Sequence, residues 1–151
     1  MVDSNLLVLF LVGLVNKRRI LQFKRTQNFT SEDFDTLSQL LNWFGKLVTT
    51  PHVLSQVSDL TDLNGKELGT VRQLFGVLVE KMEEYYDTGA SLVTDHLFAR
   101  LGLTDVAVAS VCARGVLVLT SDVQLYVALQ ERGVDALNFN HVRPMGWNPR
   151  P

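Results

Sequence analysis

The sequence predicts a single α/β domain: a three-layer α/β/α sandwich with a central parallel sheet of about four to five short strands. Short β-branched and aliphatic runs alternate along the chain with longer segments of helical periodicity. The clearest run, Val116-Leu117-Val118-Leu119-Thr120, reads as a central strand. Capping and stop residues punctuate the helical segments at nearly every boundary.

Val2-Asp3 ends a first short strand, and Ser4-Asn5 leads into a helix over roughly Leu6 to Val15. That helix is apolar nearly all round, so it should be sandwiched between the sheet and another layer. Residues 17 to 28 are polar and include five basic side chains: Lys17, Arg18, Arg19, Lys24 and Arg25. Thr30 and Asp33 have capping-box spacing and open an amphipathic helix with Phe34, Leu37, Leu40, Leu41 and Phe44 on its apolar side. Gly45 ends it. Leu47-Val48-Thr49 forms the next strand, with Thr50 as N-cap and Pro51 as first residue of the helix that follows.

Asn64-Gly65 marks a turn into a long helix, roughly Glu67 to Tyr86, with Val71, Leu74, Phe75, Leu78, Val79 and Met82 on one face. Gly89 breaks it, and a short helix spans about Asp95 to Arg100. Helix, strand, helix and strand then close the domain at 105–113, 116–120, 122–132 and 136–139, with Gly115 and Gly133 as helix stops. Pro144, Pro149 and Pro151 predict an irregular tail.

With 151 residues, the chain suits one domain with a substantial core. A net charge of −2 excludes nucleic-acid binding by bulk charge alone, so any such contact must use a local basic patch or metal ions. One cysteine, Cys112, permits no internal disulfide and fits a reducing cytoplasm; its Ala and Val neighbours predict a buried structural thiol. Leu6 to Val15 is too short to cross a bilayer, which takes about 20 apolar residues. Basic residues follow this run and do not precede it, so it is expected to be neither a membrane span nor an export signal.

Asp3, Asp105 and Asp122 each stand where an apolar run gives way to a turn or a helix start. Each taken alone also suits a helix cap or a turn. In an open parallel α/β sheet, however, ligands sit beyond the carboxyl ends of the strands, where distant parts of the chain meet. Carboxylates gathered there without basic partners call for a divalent cation.

Asp3-x-Asn5, the Thr50-Pro51-x-Val53-Leu54 helix opening, Leu103-Thr104-Asp105 and Leu119-Thr120-Ser121-Asp122 recur in a set order, followed by Leu125, Leu129 and Gly133. From Val2 to about Phe139 this pattern resembles the PIN domain. That family comprises metal-dependent ribonucleases, including the VapC-type toxins of bacterial toxin–antitoxin pairs. The resemblance implies that Asp3, Asp105 and Asp122 hold one or two Mg²⁺ or Mn²⁺ ions, which activate water against a phosphodiester. It also implies that Thr120 or Ser121 brings a hydroxyl to the same cluster, with Asn5 bracing the first turn beside the substrate. RNA, an antitoxin protein and a second copy of the chain are the partners it suggests, in the cytoplasm.

One position departs from the pattern. Where the family usually presents a glutamate, this chain has Gln56. An amide oxygen can ligate a cation but brings no charge, which weakens binding by on the order of a few kcal/mol at an effective dielectric near 20. Three accounts of Gln56 stand side by side: activity retained on three aspartates, with Asp59 one turn on replacing the charge; deliberate silencing by substitution; or a natural pseudo-nuclease. The alternative function is therefore a catalytically reduced PIN-like module that binds RNA or a protein without cutting.

Other groups weigh less. His52, His96 and His141 lack ligand spacing, and neither a phosphate-binding P-loop nor a dinucleotide fingerprint occurs. The basic stretch can track a phosphate backbone or serve as a solvated connector. Trp43 and Trp147 read as packing residues, with a base-stacking role as the alternative for either.

Overall fold

The computed structural model describes residues 1–143. Pro144, Trp147, Pro149 and Pro151 lie outside the described residues. The chain is mixed α/β, built around two small parallel ladders.

Helix α1, Ser4–Val15, starts at Asp3, whose Oδ1 accepts the Leu6 backbone N–H at 2.8 Å. It is buried on nearly every side, as its composition requires, and touches three other helices: α2 (Ser31–Trp43), α3 (Pro51–Leu60) and α4 (Lys66–Val79). Gly13 lets α2 approach closely, since a Cβ there would stand 2.1 Å from a ring carbon of Phe34. Phe10 stacks on the same ring, and Lys17 lies over it while pairing with Asp35.

The local signals of the next segment hold. Thr30 and Asp33 form both bonds of the capping box at the start of α2. Strand β1 is Leu47–Thr49, the Thr50 side chain caps α3, and Pro51 opens it. Gly65, at φ 59°, adopts the left-handed conformation that turns the chain into α4.

The predicted long helix stops early. Helix α4 ends at Val79, and Met82–Glu84 forms strand β2, parallel to β1 with Leu47 opposite Met82 and Thr49 opposite Glu84. Lys46 pairs with Glu83 across this ladder. Two short helices follow, α5 (Gly89–Leu92) and α6 (Phe98–Leu101), then α7 (Leu103–Cys112), β3 (Val118–Thr120), α8 (Val123–Glu131), β4 (Ala136–Asn138) and α9 (Phe139–Val142). Strands β3 and β4 run parallel, with Thr120 opposite Asn138. Cys112 is buried, and its thiol lies 3.3 Å from the Asp135 carbonyl, a structural position as expected.

The expected first strand shrinks to one parallel bridge, Val2 with Leu119, formed by Asp3 N–H to Leu119 O at 3.0 Å and Leu119 N–H to Met1 O at 2.9 Å. A continuous sheet of four to five strands does not form among the described residues. The β1–β2 ladder and the β3–β4 ladder are separate. A cavity of about 110 Å³ lies between them, lined by Met1, Val2, Leu47, Val48, Val116 and Leu119. Among the described residues, no helix is long and apolar enough to cross a membrane.

Candidate metal centre

Three chain segments carry the predicted acids to one edge of the β3–β4 ladder. Asp3 follows the Val2 bridge, Asp122 follows β3, and Asp105 sits in the first turn of α7. The bridge and the strand deliver the first two because both end at the same level of backbone pairing.

Asp3 is 4% exposed and fully engaged. Its Oδ2 accepts the Thr120 hydroxyl and, at 2.8 Å, the Ser121 backbone N–H. Thr120 Oγ1 in turn accepts the Asp122 N–H at 2.9 Å, so a single hydroxyl ties the two acids together. Burial pushes the Asp3 carboxyl up, the bonds from Thr120, Leu6 and Ser121 oppose that, and the Asp122 charge adds to it. Asp122 uses Oδ1 to cap α8, accepting from Gln124 and Leu125 N–H at 2.7 and 3.0 Å. This cap is the commonplace role an aspartate at that position can play, and among the described residues no hydrogen bond engages Oδ2.

Asp105 differs from both. Burial, then the charges of Asp122 and Asp3, push its carboxyl up to about 7. No cation answers the three acids: among the described residues, none of them enters a salt bridge. Mutual repulsion in a half-buried setting is the condition a divalent ion relieves, and carboxylate oxygens are the donors that Mg²⁺ and Mn²⁺ prefer. The donor chemistry therefore fits such an ion. The geometry is open: among the described residues, no group of three or more His, Cys, Asp or Glu side chains is closed tightly enough to form a ligand cage. Water would have to complete the coordination, as Mg²⁺ commonly demands.

The remaining predicted residues are distributed around this edge. Thr120 is buried inside the cluster and Ser121 is half-buried at its rim. Asn5 is exposed on the first turn of α1. Gln56 is exposed on α3 and lines an adjoining cleft with Asp59, Leu103 and Thr104, next to Asp105 along the chain. Gln56 and Asp59 thus share a wall, as their helical spacing requires.

Two asparagines were missed by the sequence reading. Asn138, 5% exposed, caps α9 by accepting the Asn140 N–H at 3.0 Å, and Asn140 Nδ2 donates to the Ser121 carbonyl at 2.8 Å. The available signal was Asn138-Phe139-Asn140 directly after the closing strand, at the same sheet edge as Thr120 and Ser121. Of the basic stretch, Lys17 and Arg19 are spent on Asp35 and Glu67, while Arg18, Lys24 and Arg25 are exposed.

No protein-family model matches the chain, and no curated protein or solved structure matches it.

Proposed function

We propose that the protein is a divalent-metal-dependent endoribonuclease whose reaction centre is the edge formed by Asp3, Asp105 and Asp122. The finer fold reading that accompanies it is a PIN-type three-layer sandwich, with the two ladders as parts of one sheet plane. The carrying observation is the set of three acids, far apart in sequence, within reach of one another's charge and without a salt-bridge partner among the described residues; burial first, then the charges of Asp122 and Asp3, push Asp105 up to about 7.

An Mg²⁺ or Mn²⁺ ion bound there supplies Lewis acidity and activated water for phosphodiester cleavage. The chain supplies position. Asp3 is clamped by Thr120 and Ser121, which fixes one wall of the site. Asp105 and Oδ2 of Asp122 are the oxygens left to face an ion, and Ser121 and Asn5 stand at the rim, where an RNA strand would pass. The proposed setting is the cytoplasm, as a toxin with an antitoxin partner and a homodimeric form.

Gln56 favours a second reading, in which the protein binds RNA or a protein partner without cutting. An amide at that position neither adds charge nor accepts a proton. Cleavage assays on the wild type and on Gln56→Glu, with Mn²⁺ and with chelator, separate the two. The nuclease reading expects Mn²⁺-dependent cutting that rises in Gln56→Glu. If Gln56→Glu protein with Mn²⁺ cuts neither RNA nor single-stranded DNA, that reading is overturned.

A further inference from the structure

Helices α3 and α7 border an open cleft of about 420 Å³, lined by His52, Ser55, Gln56, Asp59, Leu103 and Thr104, with Leu60 at its edge. This falls in the range of roughly 300–1,000 Å³ typical of small-ligand sites. His52, Gln56 and Asp59 fall at i, i+4 and i+7 on one face of α3. The opposite wall is the first turn of α7, immediately before Asp105. The cleft therefore adjoins the acid edge; it shares Gln56 with the proposed nuclease site but contains none of Asp3, Asp105 and Asp122 in its lining.

Its chemistry selects against phosphate. Among the described residues, the lining includes one carboxylate, Asp59, and no lysine or arginine. An anion entering it would meet repulsion with no compensating charge. A flat neutral ring meets something better: Leu60 and Leu103 offer aliphatic surface to its faces, and hydroxyl, amide, imidazole and carboxylate groups are available to its edge. Among the described residues, His52 Nδ1 is buried without a hydrogen-bond partner. A stranded lone pair is more tolerable there than a stranded N–H, which favours the tautomer with its ring proton on Nε2.

We infer that this cleft is a nucleobase subsite and that it takes guanine from a single-stranded RNA threaded past the acid edge. Only guanine sets two N–H donors, N1–H and N2–H, side by side on its Watson–Crick edge, matching the paired oxygens of Asp59. Adenine and cytosine place a ring acceptor beside their amino group, and uracil flanks its single N–H with two carbonyls, so each turns a lone pair towards the carboxylate. Guanine O6 and N7 remain to accept from His52 Nε2–H or the Gln56 amide. The link to RNA cleavage rests on the nuclease reading; base selection by the cleft does not.

The test is an NMR titration of the full chain, in EDTA, with the 5′-monophosphates of guanosine, adenosine, cytidine and uridine. Wild type is compared with Asp59→Ala and His52→Ala; Asp59 is exposed on its helix, so the first variant leaves the core untouched. The expected result is that GMP shifts amides of α3 and α7 and binds about tenfold more tightly than the other three, with that preference lost in Asp59→Ala. Equal binding of all four nucleotides, GMP shifts away from these helices, or an unchanged preference in Asp59→Ala overturns the assignment. The two readings fail separately. RNA cleavage with Mn²⁺ but no GMP response at α3 and α7 removes only the guanine site, whereas a GMP response without any cleavage leaves it standing and removes the nuclease.

Discussion

The Ser121 backbone N–H donates to Asp3 Oδ2 at 2.8 Å, joining residues 118 positions apart at the candidate site. The first acid is thereby fixed by the strand end that carries the third, and its removal has structural as well as chemical effects. Asp3→Ala forfeits a helix cap worth about 0.5–2 kcal/mol and strands buried donors for about 1–3 kcal/mol more. We expect a net loss of about 2–4 kcal/mol in urea unfolding. Asp3→Asn keeps one of the two acceptor oxygens and sheds a buried charge, but its amide NH2 must face either the Leu6 N–H or the Thr120 and Ser121 donors, so its loss should be smaller than that of Asp3→Ala without vanishing.

Asp105 should make the protein less stable as pH rises. Unfolded, its carboxyl ionises near its ordinary value; folded, it holds its proton until about 7. The unfolded state therefore carries fewer protons between those values, and stability falls across that window to a floor above it. Because the group is partly exposed, the discounted size is about 1–2 kcal/mol. Asp105→Asn should match wild type near pH 4 and exceed it by that amount at pH 8, as read from urea midpoints. A wild-type advantage at pH 8 would contradict the repulsion described here.

On the proposed metal-dependent reading, the same group should govern the response to metal. If the ion takes the Asp105 carboxylate, ionisation near 7 should make the apparent Mn²⁺ affinity drop about tenfold from pH 8 to pH 6. At saturating Mn²⁺ the melting temperature should rise at pH 8, and EDTA should reverse the rise. Asp122→Asn keeps its helix-cap acceptor and should abolish most of this shift at little loss of apo stability.

Gly13→Ala should destabilise the protein even though alanine is the better helix former by about 1 kcal/mol. Its methyl group would fall 2.1 Å from the Phe34 ring, and that ring already stacks on Phe10. Overpacking of this kind costs about 1–3 kcal/mol and should outweigh the propensity gain. Thermal unfolding of Gly13→Ala beside Gly13→Ala/Phe34→Leu checks it, with the second substitution giving back part of the loss.

Much of this architecture was legible where the deciding interactions are local. The capping box at Thr30 and Asp33, the Thr50-Pro51 helix start, and strand β1 at Leu47–Thr49 all stand where the sequence puts them. Strand β2 was not legible. Met82 continues the apolar stripe of α4, and Lys81, Glu83 and Glu84 are good helix formers. What makes these residues a strand is pairing with Leu47–Thr49 and the Lys46–Glu83 contact, both remote in sequence. The extent of the sheet was less legible for a related reason: apolar runs predict strands, but they do not reveal how the two ladders are arranged about the cavity between them. At the candidate site, Asp3 and Asp122 follow strand pairing and Asp105 opens a helix, and the fold brings all three within reach of one another's charge. Strand-end position carried no information on Asn138 and Asn140, whose roles depend on how α9 folds back on Ser121.

A threonine side chain owns one donor hydrogen, on its hydroxyl, and Thr120 has committed it to Asp3 while its oxygen receives Asp122. It is thus a keystone with nothing left to offer an incoming strand as a donor. Any hydroxyl reaching for a passing phosphate from this segment has to come from its neighbour, Ser121. Replacing Thr120 by serine preserves the arch, whereas valine, of nearly the same shape, removes the stone that both acids lean on.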